Sequence, residues 1–506
     1  MLNMILTAAF VSLALLSGTA TARPGCGVEC ADLETLQGLN LPGCTQFNAT
    51  PVAASSLSIP QASINGGNKA AFCRVVGIIP YGPDGNNTLN FELWLPAKSN
   101  YDGRYVAVGN GGFAGSIDYV SMLQQLNNGH AVAGGDGGHP LSENGETKPG
   151  SYVAFFHDRS KVLTWIRDSI AMFTRPAKKL TSVYYGRSPK KMYYVGCSTG
   201  GAQGFALAQF HPRVFDGISA GCPGNWYSHL ILSFLFNGVN SNRKGAFLSQ
   251  DALNLISDSV IDECDAIDGV KDRVVSDPAK CPFDVTKLQC SGNQEPLVNN
   301  KTVCLTQPQI ENVKEFYAGP KDSRNGKPVY PGFAPGSEGA WMFQESALYL
   351  QYGVPILQNL VFDNLSYDYT TFNWGSDVDM VDKKASPYID HISPDLETFR
   401  KHGGKMLVTQ GWADPFNSPY WPIEHREQLR GVSGDKLDDF FSLFMIPGGG
   451  HCGTSPPYPY VPSTYNTFER MVEWVEHGKV PEDLIGTQPA DGSNTTVTLH
   501  PYPRPQ

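Results

Sequence analysis

The chain is poor in charge, and beyond its first residues it has no long apolar run. Only 17% of its 506 residues are Asp, Glu, Lys or Arg, and 48 acidic residues outnumber 38 basic ones, for a formal net charge of −10. No basic stripe exists to neutralise phosphates, which excludes nucleic acid as an expected partner. No segment after Leu16 offers the roughly 20 apolar residues that span a bilayer, so no membrane helix is expected. Internal repeats and low-complexity tracts are lacking too. With 41% hydrophobic residues, what remains is a globular chain long enough for one large core and a second module.

The apolar run Ile5–Leu16 is too short for a bilayer, and Ala20-Thr21-Ala22 follows it as a small-residue cleavage pattern. Residues 1–22 are therefore expected to be a signal peptide, although Met1–Met4 carry no Lys or Arg, and the mature protein is expected to be secreted and extracellular. Eleven cysteines agree with an oxidising compartment, and the odd number leaves at least one unpaired. Sequons for N-glycosylation begin at Asn48, Asn86, Asn300, Asn364 and Asn494, the first weakened by Pro51 directly after its Thr50.

Three short strand candidates each run into a glycine-rich turn: Arg104–Val108 before GNGG, Ala131–Ala133 before GGDGG, and Met192–Val195 before GCSTGG. Between the second and third, Val162, Leu163, Ile166, Ile170 and Phe173 recur at helical spacing. Strand, helix, strand in this order predicts a mostly parallel sheet with helices on both faces. From about residue 225 to 390 the alternation stops and Asn, Asp, Pro, Gly and aromatics dominate. It resumes with strands at Lys405–Thr409 and Phe440–Ile446 and a closing helix around Phe468, Met471, Val472 and Val475. The reading is one α/β domain, residues 23–224 and 391–506, interrupted by an insertion at 225–390. Sites in open α/β sheets lie at the carboxyl ends of the strands, where such an insertion would form a lid.

Gly196-Cys197-Ser198-Thr199-Gly200 matches the nucleophile elbow G-x-S-x-G, placed between a strand and a plausible helix, Ala202–Gln209. Asp414 follows the strand Lys405–Thr409, and His451 follows the strand Phe440–Ile446. Serine, acid, histidine is the chain order that this type of hydrolase uses. Ser198 is the expected nucleophile, His451 the base, and Asp414 the group that orients it. Thr199 N–H is one expected oxyanion donor, and the Gly109–Gly112 loop supplies the other from Gly111 or Gly112.

Cys197 precedes Ser198 and Cys452 follows His451, so the constellation reads Cys-Ser…Asp…His-Cys. Together with FCRV at 72–75, GNGGFAG at 109–115, GCSTGG at 196–201 and GWADP at 411–415, this resembles the tannase and feruloyl esterase family. The resemblance implies an α/β-hydrolase core, a Cys197–Cys452 disulfide, and a lid holding a structural calcium ion. It also implies hydrolysis of phenolic-acid esters, feruloyl or other hydroxycinnamoyl esters of plant cell-wall polysaccharide or small phenolic esters. Galloyl esters, the substrates of a tannase, are the alternative. Sequence proximity and the resemblance both suggest Cys264–Cys281 and Cys290–Cys304. Near the N-terminus Cys30–Cys73 is the expected pair, with Cys26 assigned to Cys44 and Cys222 left as a buried free thiol. In the loop Cys264–Asp272, three carboxylates surround a glycine turn, and calcium favours such oxygen-rich loops. The resemblance implies side-chain ligands Asp265, Asp268 and Asp272, with carbonyl ligands Val270 and Val274. A peptidase, or a non-catalytic binding protein on the same fold, is the rival reading; the latter would be expected to lack Ser198 or His451, and this chain keeps both.

Overall fold

The computed structural model describes residues 29–35, 43–44, 46–292, 295–298, 301–453 and 455–503. The expected signal peptide, Cys26 and Asn300 lie outside the described residues. Nine strands form the main sheet: β1 (Gln46–Val52), β2 (Phe72–Tyr81), β3 (Asn87–Pro96), β4 (Arg104–Val108), β5 (Ala131–Gly135), β6 (Lys191–Cys197), β7 (Gly217–Gly221), β8 (Lys405–Gly411) and β9 (Phe441–Ile446). Their order across the sheet is β1-β2-β3-β5-β4-β6-β7-β8-β9. The pairings from β1 to β5 are antiparallel. Every pairing beyond β5 is parallel.

The helices that matter here are α1 (Tyr119–Asn127), α2 (Ser169–Tyr185), α3 (Thr199–Phe210), α4 (Tyr227–Ser241), α5 (Gln250–Cys264), α6 (Gln307–Ala318), α7 (Tyr420–Ser433) and α8 (Thr467–His477). Because side chains alternate along a strand, each central strand must bury two faces. Tyr105, Ala107, Met192, Tyr194, Met406 and Val408 pack in one cluster with residues of α2, α3 and α7. Their neighbours Val106, Tyr193, Leu407 and Phe444 pack in another with Met471 of α8. The helical pattern around Ile166 forms in two pieces, Arg159–Leu163 and α2, joined by a π-helical turn over Thr164–Asp168. Asp158 caps the first piece by accepting from the N–H groups of Ser160 and Lys161.

Register sets the level of the site. Cys197 pairs with Gly221, Gly221 with Thr409, and Gly411 with Ile446, so β6 to β9 end at one edge. Between β7 and β8 the chain makes its long excursion, and none of its described residues joins the main sheet. The two ends of that excursion meet. Trp226 bridges Asp390, His391 N–H donates to Asn225 O at 2.7 Å, and Asn225 Nδ2 donates to His391 O at 3.1 Å. Within it, α5 and α6 pack with Val274, Val285 and Trp341 in a cluster that Ala413, Tyr458 and Val461 join from outside the excursion.

Among the described residues four disulfides form, Cys30–Cys73, Cys197–Cys452, Cys264–Cys281 and Cys290–Cys304. Cys222 is a buried free thiol. Cys44 is also free, against the expected bridge to Cys26. Its thiol is half-buried and donates to Gln46 O at 3.4 Å. Asn48, Asn86, Asn364 and Asn494 are exposed. Among the described residues no helix is long and apolar enough to cross a membrane.

Leu407, fully buried in β8, tests the two-faced packing. Leu407→Ala is expected to destabilise the domain by about 2–5 kcal/mol, the usual range for a leucine cavity. A lowered urea midpoint at unchanged far-ultraviolet dichroism would register it.

Candidate active site

β6 ends at Cys197 and α3 begins at Thr199, leaving Ser198 alone on the turn at φ +62 and ψ −121. A non-glycine residue in that region is strained, and such strain persists only where the surroundings enforce it. Here Ser198 N–H donates to Gly221 O at 3.0 Å, and Tyr194 Oη donates to Gly200 O at 2.7 Å. The turn is tight enough that a Cβ on Gly196 would lie 2.7 Å from Gly200 O, which only glycine avoids.

Asp414, three residues past β8, is fully buried. Its carboxylate accepts from the N–H groups of Phe416 (2.8 Å) and Asn417 (3.0 Å) and from Gln410 Nε2 (3.0 Å). His451 Nδ1 lies 2.9 and 3.1 Å from its two oxygens, and the Phe416 ring stacks on the imidazole at 4.5 Å. Burial alone would push the Asp414 carboxyl up, but the His451 charge and the N–H donors outweigh it and hold the pKa below the ordinary value. For His451 burial disfavours the cation, yet the Asp414 charge and hydrogen bond raise its pKa. Asp414 thus favours the proton that the imidazole would gain during catalysis. Ser198 lines the same cavity as His451, and its Oγ makes no hydrogen bond to the imidazole in this arrangement.

The loop expected to supply an oxyanion donor is tied to the helix that directly follows Ser198. Gln203 of α3 accepts from Asn110 N–H at 3.0 Å and donates to Asn110 Oδ1 at 3.1 Å, while Asn110 Nδ2 donates to Gly135 O at 2.7 Å. The carbonyls of Gly111 and Gly112 are taken by Ala114 N–H and Trp165 Nε1. Both glycines and Thr199 line the cavity.

That cavity has a volume of about 1080 Å³. Of the aromatics in the excursion, Tyr227, Phe234 and Tyr352 form part of its wall. Trp226, Trp341, Tyr349 and Trp374 do not; Trp341, for instance, is fully buried and stacks on Phe316. Phe416, Asn417 and Cys222 also line it, none of them marked by a local motif.

The carboxylate loop lies outside this cavity. Asp265 Oδ1 accepts from the N–H groups of Asp272 and Val274, Asp268 from Val270 N–H, and Asp272 from Val274 N–H. Burial, and then the charges of Asp265 and Asp268, raise the Asp272 pKa above its ordinary value. One oxygen from each of the three does not fall within 4.8 Å of the others. The donor set, all hard oxygen and mutually repulsive, fits a calcium ion in chemistry, with ligation requiring the carboxylates to draw closer together.

The pattern of a family model described as tannase and feruloyl esterase matches residues 73–506. The chain belongs to the tannase and feruloyl esterase family. An uncharacterized esterase of Xanthomonas campestris is 31% identical across 96% of this chain and 90% of its own length. A probable feruloyl esterase B-2 of Aspergillus oryzae is 29% identical over 91% and 88%. Among solved structures, feruloyl esterase B from Aspergillus oryzae superposes with a TM-score of 0.82 at 27% identity, covering 94% of this chain and 96% of that one. Tannin acyl hydrolase from Aspergillus niger shares the fold, at a TM-score of 0.77 and 23% identity over 94% and 93%. This family member is a carboxylic ester hydrolase of the α/β-hydrolase fold, and resembles the B-type feruloyl esterases.

In this esterase the Cys197–Cys452 bridge spans 255 residues of chain and joins the elbow to the histidine loop. Loops of that length are stabilised by a crosslink on the order of 5 kcal/mol in chain-entropy models. The bridge's position points to geometry as well as stability. The double change Cys197→Ala with Cys452→Ala is expected to leave a folded protein whose kcat falls by on the order of a hundredfold, as a displacement of about 1 Å can cost. Near-normal kcat with a large fall in melting temperature would instead make the bridge a structural staple.

Proposed function

We propose that this esterase cleaves phenolic-acid esters, hydroxycinnamoyl in preference to galloyl, through an acyl-enzyme on Ser198. The observation that carries the reading is His451, held by the fully buried Asp414 and facing the same aromatic-walled cavity as the elbow serine. Leu230, Phe234 and Tyr352 give that cavity apolar and aromatic surface suited to a planar phenolic ring. His451 takes the Ser198 proton as Oγ bonds to the ester carbon, and returns it to the departing alcohol oxygen as the ester bond breaks. A water then repeats the sequence and frees the acid. Thr199 N–H, with Gly111 or Gly112 N–H, would hold the oxyanion. Asp414 keeps Nδ1 protonated and stabilises the imidazolium.

The B-type feruloyl esterases among its relatives support the hydroxycinnamoyl preference, and esterified plant polysaccharide is the natural substrate this reading implies. Secretion is supported by the four disulfides and the leader-like first residues. The insertion at 225–390 would serve as the lid, since α4 and Tyr352 wall the cavity.

Ser198→Ala is expected to lower turnover by several orders of magnitude with the fold intact. The substrates to compare are methyl ferulate, p-coumarate, caffeate and gallate. A kcat/KM on gallate well above the others would make the enzyme a tannase.

Calcium in the Cys264–Val274 loop is a separate proposal, with Asp265, Asp268 and Asp272 as side-chain ligands and Val270 and Val274 as carbonyl ligands. When bound, the ion would neutralise the loop and stabilise the folded lid. An ion bound only by the native state stabilises by mass action, so chelation should lower the melting temperature while the triad chemistry is unchanged. Elemental analysis finding no calcium in the purified protein would end this proposal.

A further inference from the structure

Among the described residues the triad leaves one buried free thiol without a part. Cys222 directly follows β7 and sits at φ +39, a backbone conformation unfavourable for any residue with a side chain. Its N–H donates to Thr409 O at 2.7 Å, which fixes it against the end of β8. Its carbonyl accepts from Asn417 Nδ2 at 2.6 Å, and Asn417 N–H is itself one of the donors to Asp414. On the other side, the Cys222 thiol reaches the histidine loop. Sγ accepts from Cys452 N–H at 3.4 Å, and S–H donates to Gly450 O at 3.9 Å. These are the peptide groups flanking His451. Sγ, a His451 ring nitrogen and an Asp414 oxygen all lie within 4.8 Å of one another.

A thiol is a weak donor and a weak acceptor at once, and here both capacities are used on the backbone of one loop. The disulfide holds the Cys452 side chain, whereas the thiol restrains the main chain on both sides of the histidine. We propose that Cys222 is a positioning residue for ester hydrolysis, setting the orientation of the His451 backbone, and through it the imidazole, alongside the Cys197–Cys452 bridge. The inference rests on the reading of Ser198, His451 and Asp414 as the reacting triad.

The test compares Cys222→Ala, Cys222→Gly and Cys222→Ser with the wild type and with Ser198→Ala, on whichever methyl ester of the panel is hydrolysed best. Alanine removes both hydrogen bonds, glycine does so while also relieving the positive φ, and serine keeps a group that can donate and accept. Expected are a fall in kcat of about 10–100-fold in the alanine and glycine variants, with KM within about threefold, and recovery by serine to within about fivefold of wild type. Packing alone would instead lower stability without separating serine from alanine, since both are smaller than cysteine. A folded alanine or glycine variant with kcat within about twofold of wild type would overturn the proposal, as would a serine variant no better than alanine. If alanine does not fold, glycine carries the comparison. Retained activity in Ser198→Ala would remove the triad reading itself, a result distinct from either of these.

Discussion

The carboxylate of Asp414 is excluded from water, and a negative charge so placed persists only where its lone pairs meet donors. Those donors come from the end of β8 (Gln410), from the loop just beyond it (Phe416 and Asn417 N–H), and from the loop after β9 (His451). Satisfying one charge therefore fixes the shape of two loops. The insertion is fastened to the same place: Gln344 donates to Pro415 O at 2.9 Å, and Ser418 Oγ donates to Gly332 O at 2.5 Å. The wall of the cavity and its chemistry share an anchor.

The sheet was legible where its strands are buried on both faces and stop at glycine-rich turns, as β4, β5 and β6 do. The elbow was legible because close packing demands glycine at fixed offsets from the serine, a requirement written in residue identity. The antiparallel strands β1 to β3 were not assigned from the sequence, although β2 ends at the turn Gly82-Pro83-Asp84-Gly85. Oxyanion donors are backbone groups, so sequence could narrow the choice to a loop but not to an atom. The aromatics of the insertion were ambiguous for another reason: Trp341 is fully buried in the core and Tyr352 half-buried on the cavity wall, a difference that residue type does not mark. Cys222 was legible as a buried thiol, but its approach to His451 depends on a positive φ and on the register of β7 against β8, neither of which has a local signature. The Cys26–Cys44 pairing was assigned by elimination, a weak guide wherever a thiol can sit half-buried on an apolar surface.

The meeting of Asn225, Trp226, Asp390 and His391 has an evolutionary meaning. The polypeptide leaves and re-enters the sheet domain through a single doorway, so whatever lies beyond it can grow, shrink or be exchanged while β7 and β8 stay in register. Tyr227, Phe234 and Tyr352 all lie beyond that doorway, whereas Ser198, Asp414 and His451 all lie before or after it. On the proposed reading, the residues that break the bond and three aromatics of the cavity wall are thus inherited on separable stretches of chain. A lineage can then reshape that part of the wall by rewriting one contiguous stretch of coding sequence, while Phe416 and Asn417 of the lining stay with the machinery that breaks the bond.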